Sequence, residues 1–191
     1  MSSPFILAPM QILRSLDEAN KVSAVKLCEK RQKAQVGDVF RLSPETGIYL
    51  WGRLIRKGRF FGVDTNLNLV YIYDAISMEK PDTKLLKPSN LIIPPVVVNN
   101  LGWSRGYWQI MASEPFSHQD LLPNHRFVRY AGTGSTDDYV IVDEYGKPVR
   151  NRLFAKRDDP KKLSQSGISN FNHVDWQIRK TLQQRGVIDS E

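Results

Sequence analysis

Histidines, one cysteine and neighbouring carboxylates are the groups that could do chemistry in this 191-residue sequence. Their spacing decides which chemistry is open to them. His118 and His125 flank Asp120 in a proline-bounded stretch, and His173 stands two residues before Asp175. A zinc or iron centre needs three or four ligands converging on one point, and no His-Glu-x-x-His or related helical spacing occurs. His118 and His125 therefore read as surface-loop residues, and His173 as a packing or capping residue at a helix start. Gly132-Thr133-Gly134-Ser135 lacks the Lys-Ser/Thr pair of a phosphate loop and the third glycine of a dinucleotide loop. Thr136-Asp137-Asp138 follows it and would repel phosphate, so the stretch reads as a loop between strands. No G-x-S-x-G elbow is present to expose a serine nucleophile. Cys28 falls in a segment with helical spacing, far in sequence from any histidine, and reads as a structural thiol. The carboxylate pairs Asp137/Asp138 and Asp143/Glu144 are adjacent in sequence, so on a strand they point to opposite faces. The sequence points away from an enzyme and calls for no metal and no cofactor.

The aromatic residues say more. Tyr49, Trp51, Phe60, Phe61, Tyr71, Tyr73, Trp103, Tyr107 and Trp108 concentrate in the centre of the chain. Tyr49, Trp51 and Arg53 alternate and so share one sheet face, as do Tyr71 and Tyr73. Two readings compete. These side chains are the core of a β domain, or some of them form an exposed aromatic-plus-arginine patch. Trp, Tyr and Arg are the residues most enriched in binding hot spots. On the second reading, Tyr49, Trp51, Arg53, Trp103 and Trp108 are the candidate partner-binding residues.

Charge is unevenly placed. Lys plus Arg number 27 against 20 Asp plus Glu, a formal net charge of +7. Residues 1–35 carry +3, residues 36–149 are balanced and residues 150–191 carry +4. The centre has one local basic cluster, Arg53, Arg56, Lys57 and Arg59, and the mixed run Lys156 to Lys162 reads as a solvated loop. A single cysteine allows no intrachain disulfide, and no apolar run reaches the roughly 18 residues of a membrane span. The proline-interrupted N-terminal stretch does not resemble a signal peptide. A reducing cytoplasm is the expected location.

The elements that would position these groups follow from periodicity. Leu13, Leu16, Val22, Val25 and Leu27 predict a helix over residues 11–33. Short β-prone runs then recur at 39–42, 48–55, 67–74, 96–98, 108–111, 126–130 and 139–143, punctuated by Pro44 to Gly47, Arg56-Lys57-Gly58 and Glu144 to Lys147 as turns. Pro94-Pro95 cannot lie within a central ladder and marks an edge or a crossover. Val174, Ile178 and Leu182 make the apolar stripe of a C-terminal helix, with Asn172 and Asp175 as its capping pair and Gly186 as its stop. The expected fold is mainly β (α+β): a small twisted antiparallel barrel or half-barrel with flanking N- and C-terminal helices. The expected organisation is an N-terminal extension over 1–35, a β-rich domain over 36–150, and a C-terminal loop and helix over 151–191.

Three stretches resemble the immunity protein 26 family of bacterial polymorphic toxin systems. Val36-Gly37-Asp38-Val39-Phe40-Arg41-Leu42, followed by Gly47 to Ile55, is similar to the family's G-D-V-F opening and its aromatic-Gly-Arg strand. The apolar strand ending in Tyr71-Ile72-Tyr73-Asp74 is the second. Trp103 through Tyr107-Trp108-Gln109-Ile110 to Pro115 is the third, with Ala112 and Ser113 where the family has a glycine. The resemblance covers about residues 34–150. It implies a non-enzymatic protein that binds and covers a toxin domain, whose gene usually lies beside its own. It offers no catalytic residues. A net charge of +7 further implies a toxin that is acidic near the contact, or one that is not a nuclease.

Two other readings use the same residues. The V-G-D-V-F entry also looks like SH3-like nucleic-acid modules, including ribonuclease toxins of toxin–antitoxin pairs. Arg53, Arg56, Lys57 and Arg59 would then contact phosphates of RNA while Trp51 or Phe61 stacked on a base. An enzyme built on His118, Asp120 and His125 is the third.

Overall fold

The computed structural model describes residues 24–130, 139–149 and 163–189. Five antiparallel strands form the main sheet: β1 (Asp38–Glu45), β2 (Ile48–Phe60), β3 (Val63–Tyr73), β4 (Val96–Val98) and β5 (Trp108–Ser113), in the order β4-β3-β2-β1-β5. A smaller sheet has the order β7-β6-β8, from β6 (Phe127–Tyr130), β7 (Tyr139–Val142) and β8 (Ser164–Gln165), with β8 parallel to β6. One helical turn, α1 (Leu101–Ser104), precedes β5, and the helix α2 (Phe171–Gln184) follows β8. The main sheet is open between its edge strands β4 and β5, so the expected barrel is not closed among the described residues.

Both faces of this sheet are buried, and the alternation along β2 sorts its side chains between them. Leu50 and Leu54 join Phe40, Leu42, Val70, Ile72, Val96 and Trp108 on the first face. The helix α2 closes that face with Phe171, Val174, Ile178 and Leu182, the stripe read from the sequence. Trp51 and Ile55 join Val39, Leu69, Tyr71, Tyr73 and Val97 on the second face, which Phe127 and Val142 of the small sheet help to cover. Gly52 faces Phe40, and a Cβ there would lie 2.4 Å from Phe40 Cζ and 2.9 Å from Ile72 Cδ1.

β2 does not stop at Arg56-Lys57-Gly58, the expected turn. The register shifts between Leu54 and Arg56, a bulge that adds Ile55 to the strand, and pairing continues to Phe60 opposite Val63. The hairpin turn is Phe61-Gly62, with φ of 55° and 76°, the two positive values that a type I′ turn requires. A phenylalanine is rare in that conformation. Here its N–H donates to Glu144 O (2.9 Å), and its ring meets Phe127 edge-on at 4.9 Å.

The predicted N-terminal helix is corrected where it is described. Residues 24–33 contain no helix, and Gln11 to Ser23 lie outside the described residues. The backbone N–H groups that a helix would use go elsewhere: Val25 to Ser43 O (2.8 Å), and Leu27 and Cys28 to Gly106 O (2.8 and 3.0 Å). Cys28 is therefore partly buried on a strap rather than on a helix. The cap of α2 also differs. Asn170, not Asn172, is the N-cap, and its Oδ1 accepts from His173 N at 2.8 Å. The stop is as expected: Gly186 N donates to Gln183 O and Val187 N to Leu182 O. The Gly132 to Ser135 and Lys156 to Lys162 stretches lie outside the described residues.

Gly52→Ala forces the Phe40 and Ile72 side chains apart. It is expected to lower stability by about 1–3 kcal/mol, read as a shift in the urea midpoint at unchanged slope.

Candidate functional site

The five residues singled out for partner binding occupy different places. Trp103 and Trp108 are 0% and 2% exposed. They pack against each other edge-on at 4.8 Å, and Phe40 stacks on Trp108 at 5.0 Å. Trp51 is 0% exposed on the opposite face. The protein encloses these three rings, so its surface offers a partner none of their area. This corrects the patch reading in favour of core. Arg53 is 4% exposed. Its Nη2 meets Glu114 Oε2 at 3.3 Å, and the other oxygen of Glu114 takes the Lys80 ammonium. Phe116 lies 5.9 Å from the guanidinium. A cation taken from water needs such partners, and here they fix the 114–116 segment over the sheet.

Tyr49 alone reaches the rim. The Arg41 guanidinium lies 4.7 Å from the centre of its ring. Arg41 also donates from Nη1 to Met78 O (3.0 Å) and from Nη2 to Gln109 Oε1 (2.9 Å). β1, β2 and β5 thus contribute Arg41, Tyr49 and Gln109 to one spot, as their register requires: Arg41 stands opposite Gln109 on one side and Trp51 on the other. The loop above is pinned at Ser77, whose N–H donates to Tyr49 O (3.1 Å) and whose carbonyl accepts from Trp51 Nε1 (2.9 Å). On either side of that pin, Ile76 and Met78 are 48% and 67% exposed. Trp51 therefore bears on the rim through the loop it anchors. Arg41 and Met78 were missed in the sequence because neither belongs to an aromatic alternation.

The histidine constellation does not assemble. Asp120 accepts from Ser117 N (2.8 Å) and Ser117 Oγ (3.1 Å), bonds that hold its carboxyl below the usual range. His118 is exposed in the same short 3-10 turn. His125 Nε2 lies 2.5 Å from the Tyr71 hydroxyl, and its Nδ1 meets Glu144 Oε1. Glu144 Oε2 in turn pairs with Arg56 Nη1 at 2.5 Å, and Tyr71 Oη accepts from Leu122 N at 3.0 Å. With the phenol donating to Nε2, Nδ1 carries the proton toward Glu144, and both ring nitrogens of His125 are paired. Tyr71 is fully buried, and burial pushes its phenol up to about 12. A neutral phenol filling the histidine's face ties β3 to the segment after β7. His173, half-buried in the first turn of α2, is held below its ordinary range by desolvation. Among the described residues no group of three His, Cys, Asp or Glu side chains gathers to hold a metal ion.

The RNA-binding arrangement meets the same obstacles. Trp51 is closed to a base, Arg53 is buried, and Arg56 is engaged with Glu144 and lies 4.4 Å over Phe60.

A phenol raised in the folded state contributes stability that is full below its unfolded value of about 10 and is lost as pH rises through about 12. Urea midpoints are expected to fall across that window, and Tyr71→Phe should flatten the fall. The same change costs about 1–2 kcal/mol at neutral pH through the lost hydrogen bonds.

The family model for immunity protein 26 matches residues 35–136, more than half of the chain. No curated protein and no solved structure matches it.

Proposed function

Because the chain belongs to the immunity protein 26 family, we propose that it neutralises a bacterial toxin by binding the toxin domain and covering its active site. The observation that carries this reading is the family match itself, which spans β1 to β6 and so includes the strands that build the rim. The role is non-enzymatic, and the inhibition is steric.

The contact begins at Arg41, Tyr49, Gln109, Ile76 and Met78. An arginine stacked on a tyrosine is rigid before binding, so little side-chain freedom is lost when a partner arrives. The exposed Met78 thioether and Ile76 side chain supply apolar area, and methionine adapts its shape to an irregular surface. A few such anchors carry most of the energy of an interface, while surrounding charges set on-rate and specificity. Trp51 is a positioning residue on this account, since its indole N–H holds the loop that presents Ile76 and Met78.

The test is titration calorimetry with the toxin domain encoded beside this gene. Met78→Asp and Tyr49→Ala are each expected to weaken the complex by at least about 1–2 kcal/mol, roughly tenfold, without moving the melting temperature. Full-strength binding by both variants contradicts the rim as the contact. No binding by the unaltered protein contradicts the immunity reading.

A further inference from the structure

On the first face of the sheet, beside α1, lies a cleft of about 540 Å³ that shares no lining residue with the rim. Arg31 and Lys33 of the N-terminal strap and Lys57 of β2 line it, together with Gln32, Asn66 and Asn100. The fold has brought Arg31 and Lys33 of the positive flank to the same cleft as Lys57, one member of the central basic cluster. Among the described residues, those lining the cleft include no carboxylate. Lys57 is held in place by donating to Ala34 O.

The amides decide the sign of the ligand. A glutamine or asparagine can either donate or accept, but here the protein has used the oxygens. Gln32 Oε1 accepts from Ile110 N at 2.8 Å, and Asn100 Oδ1 accepts from Asn68 Nδ2 at 2.9 Å. Asn68 is completely buried on the strand below and cannot turn away. Both NH₂ groups are thereby left to donate. The wall presents three cations and fixed N–H donors, a combination that suits oxyanions and rejects cations.

We propose that this cleft is a binding site for a carboxylate-rich segment of a partner protein. The volume exceeds what one phosphate or carboxylate fills, so several oxyanions on a flexible segment enter together. Single-stranded nucleic acid would need an aromatic platform for its bases, and among the described residues no aromatic side chain lines the cleft. The site stands independently of the toxin-neutralising role, because the assay below contains no toxin.

The experiment titrates a hexaglutamate peptide into the full chain at low salt by calorimetry, with amide shifts followed by NMR. Saturable one-to-one binding is expected, with the largest shifts at Gln32, Asn66 and Asn100, and affinity falling as salt screens the charges. Arg31→Glu combined with Lys33→Glu should lose at least about tenfold in affinity. These two side chains are exposed, and Asn66→Asp, an almost isosteric change on another exposed residue, should act in the same direction and guards against a folding artefact. The control is Lys84→Glu with Lys87→Glu, which removes the same net charge elsewhere. Equal losses in control and cleft variants would reduce the effect to net charge and overturn the site. Absence of saturation overturns it also. Tighter binding of a hexauridine RNA than of the peptide overturns the assignment to an acidic protein segment.

Discussion

The fold depends on β2 being covered on both faces. Its alternate residues feed two separate cores, Leu50 and Leu54 into one, Trp51 and Ile55 into the other. A strand so placed tolerates little. The position between Phe40 and Ile72 must be Gly52, because even a methyl group overlaps the phenylalanine ring. The bulge at Ile55 lets Ile55 pack into the second core while Arg56, beside it, turns toward Glu144. The short helix α1, the N-terminal strap, Ile92-Ile93 and α2 all assemble around the first face, and the small sheet and residues 75–91 around the second.

Closing both faces also traps polar groups, and their pairing explains how the covering segments are held. Arg53 reaches Glu114, which reaches Lys80. Tyr71 reaches His125, Glu144 and Arg56 in turn. The first runs from the sheet interior to the 74–93 segment, and the second leaves β3 at Tyr71, crosses two segments distant in sequence and returns to β2 at Arg56. The buried indole of Trp51 holds the 76–78 loop through Ser77. Groups that could be mistaken for catalytic or recognition residues are thus fastenings. On the function proposed above, recognition falls to side chains at the edge of the covered sheet, where Arg41 and Tyr49 stack beside Met78.

Much of this was legible in the sequence where a pattern had one physical outcome. The stripe Val174, Ile178, Leu182 could only be the buried face of a helix, and Tyr49, Trp51 and Arg53 could only share a sheet face. Other patterns had two outcomes. The same alternation fits an exposed patch or a covered core, and the choice is made by residues 74–93 and 114–127, whose docking no local rule announces. Arg56-Lys57-Gly58 looks like a solvated turn until Glu144, far along the chain, supplies a partner for Arg56. Val22, Val25 and Leu27 fit helical spacing, yet the described part of that segment gives its N–H groups to Ser43 and Gly106. Asn170 and Asn172 are both able to cap, and only the backbone geometry selects the first.

The central claim is that the rim built on Arg41, Tyr49 and the 76–78 loop is where a toxin domain sits. Hydrogen–deuterium exchange on the complex with the toxin domain encoded beside this gene measures that directly. The account predicts new protection over residues 76–80 and the neighbouring end of β5 near Gln109, with the amides of α2 exchanging as in the free protein. Protection confined to α2, with residues 76–80 unchanged, would contradict it.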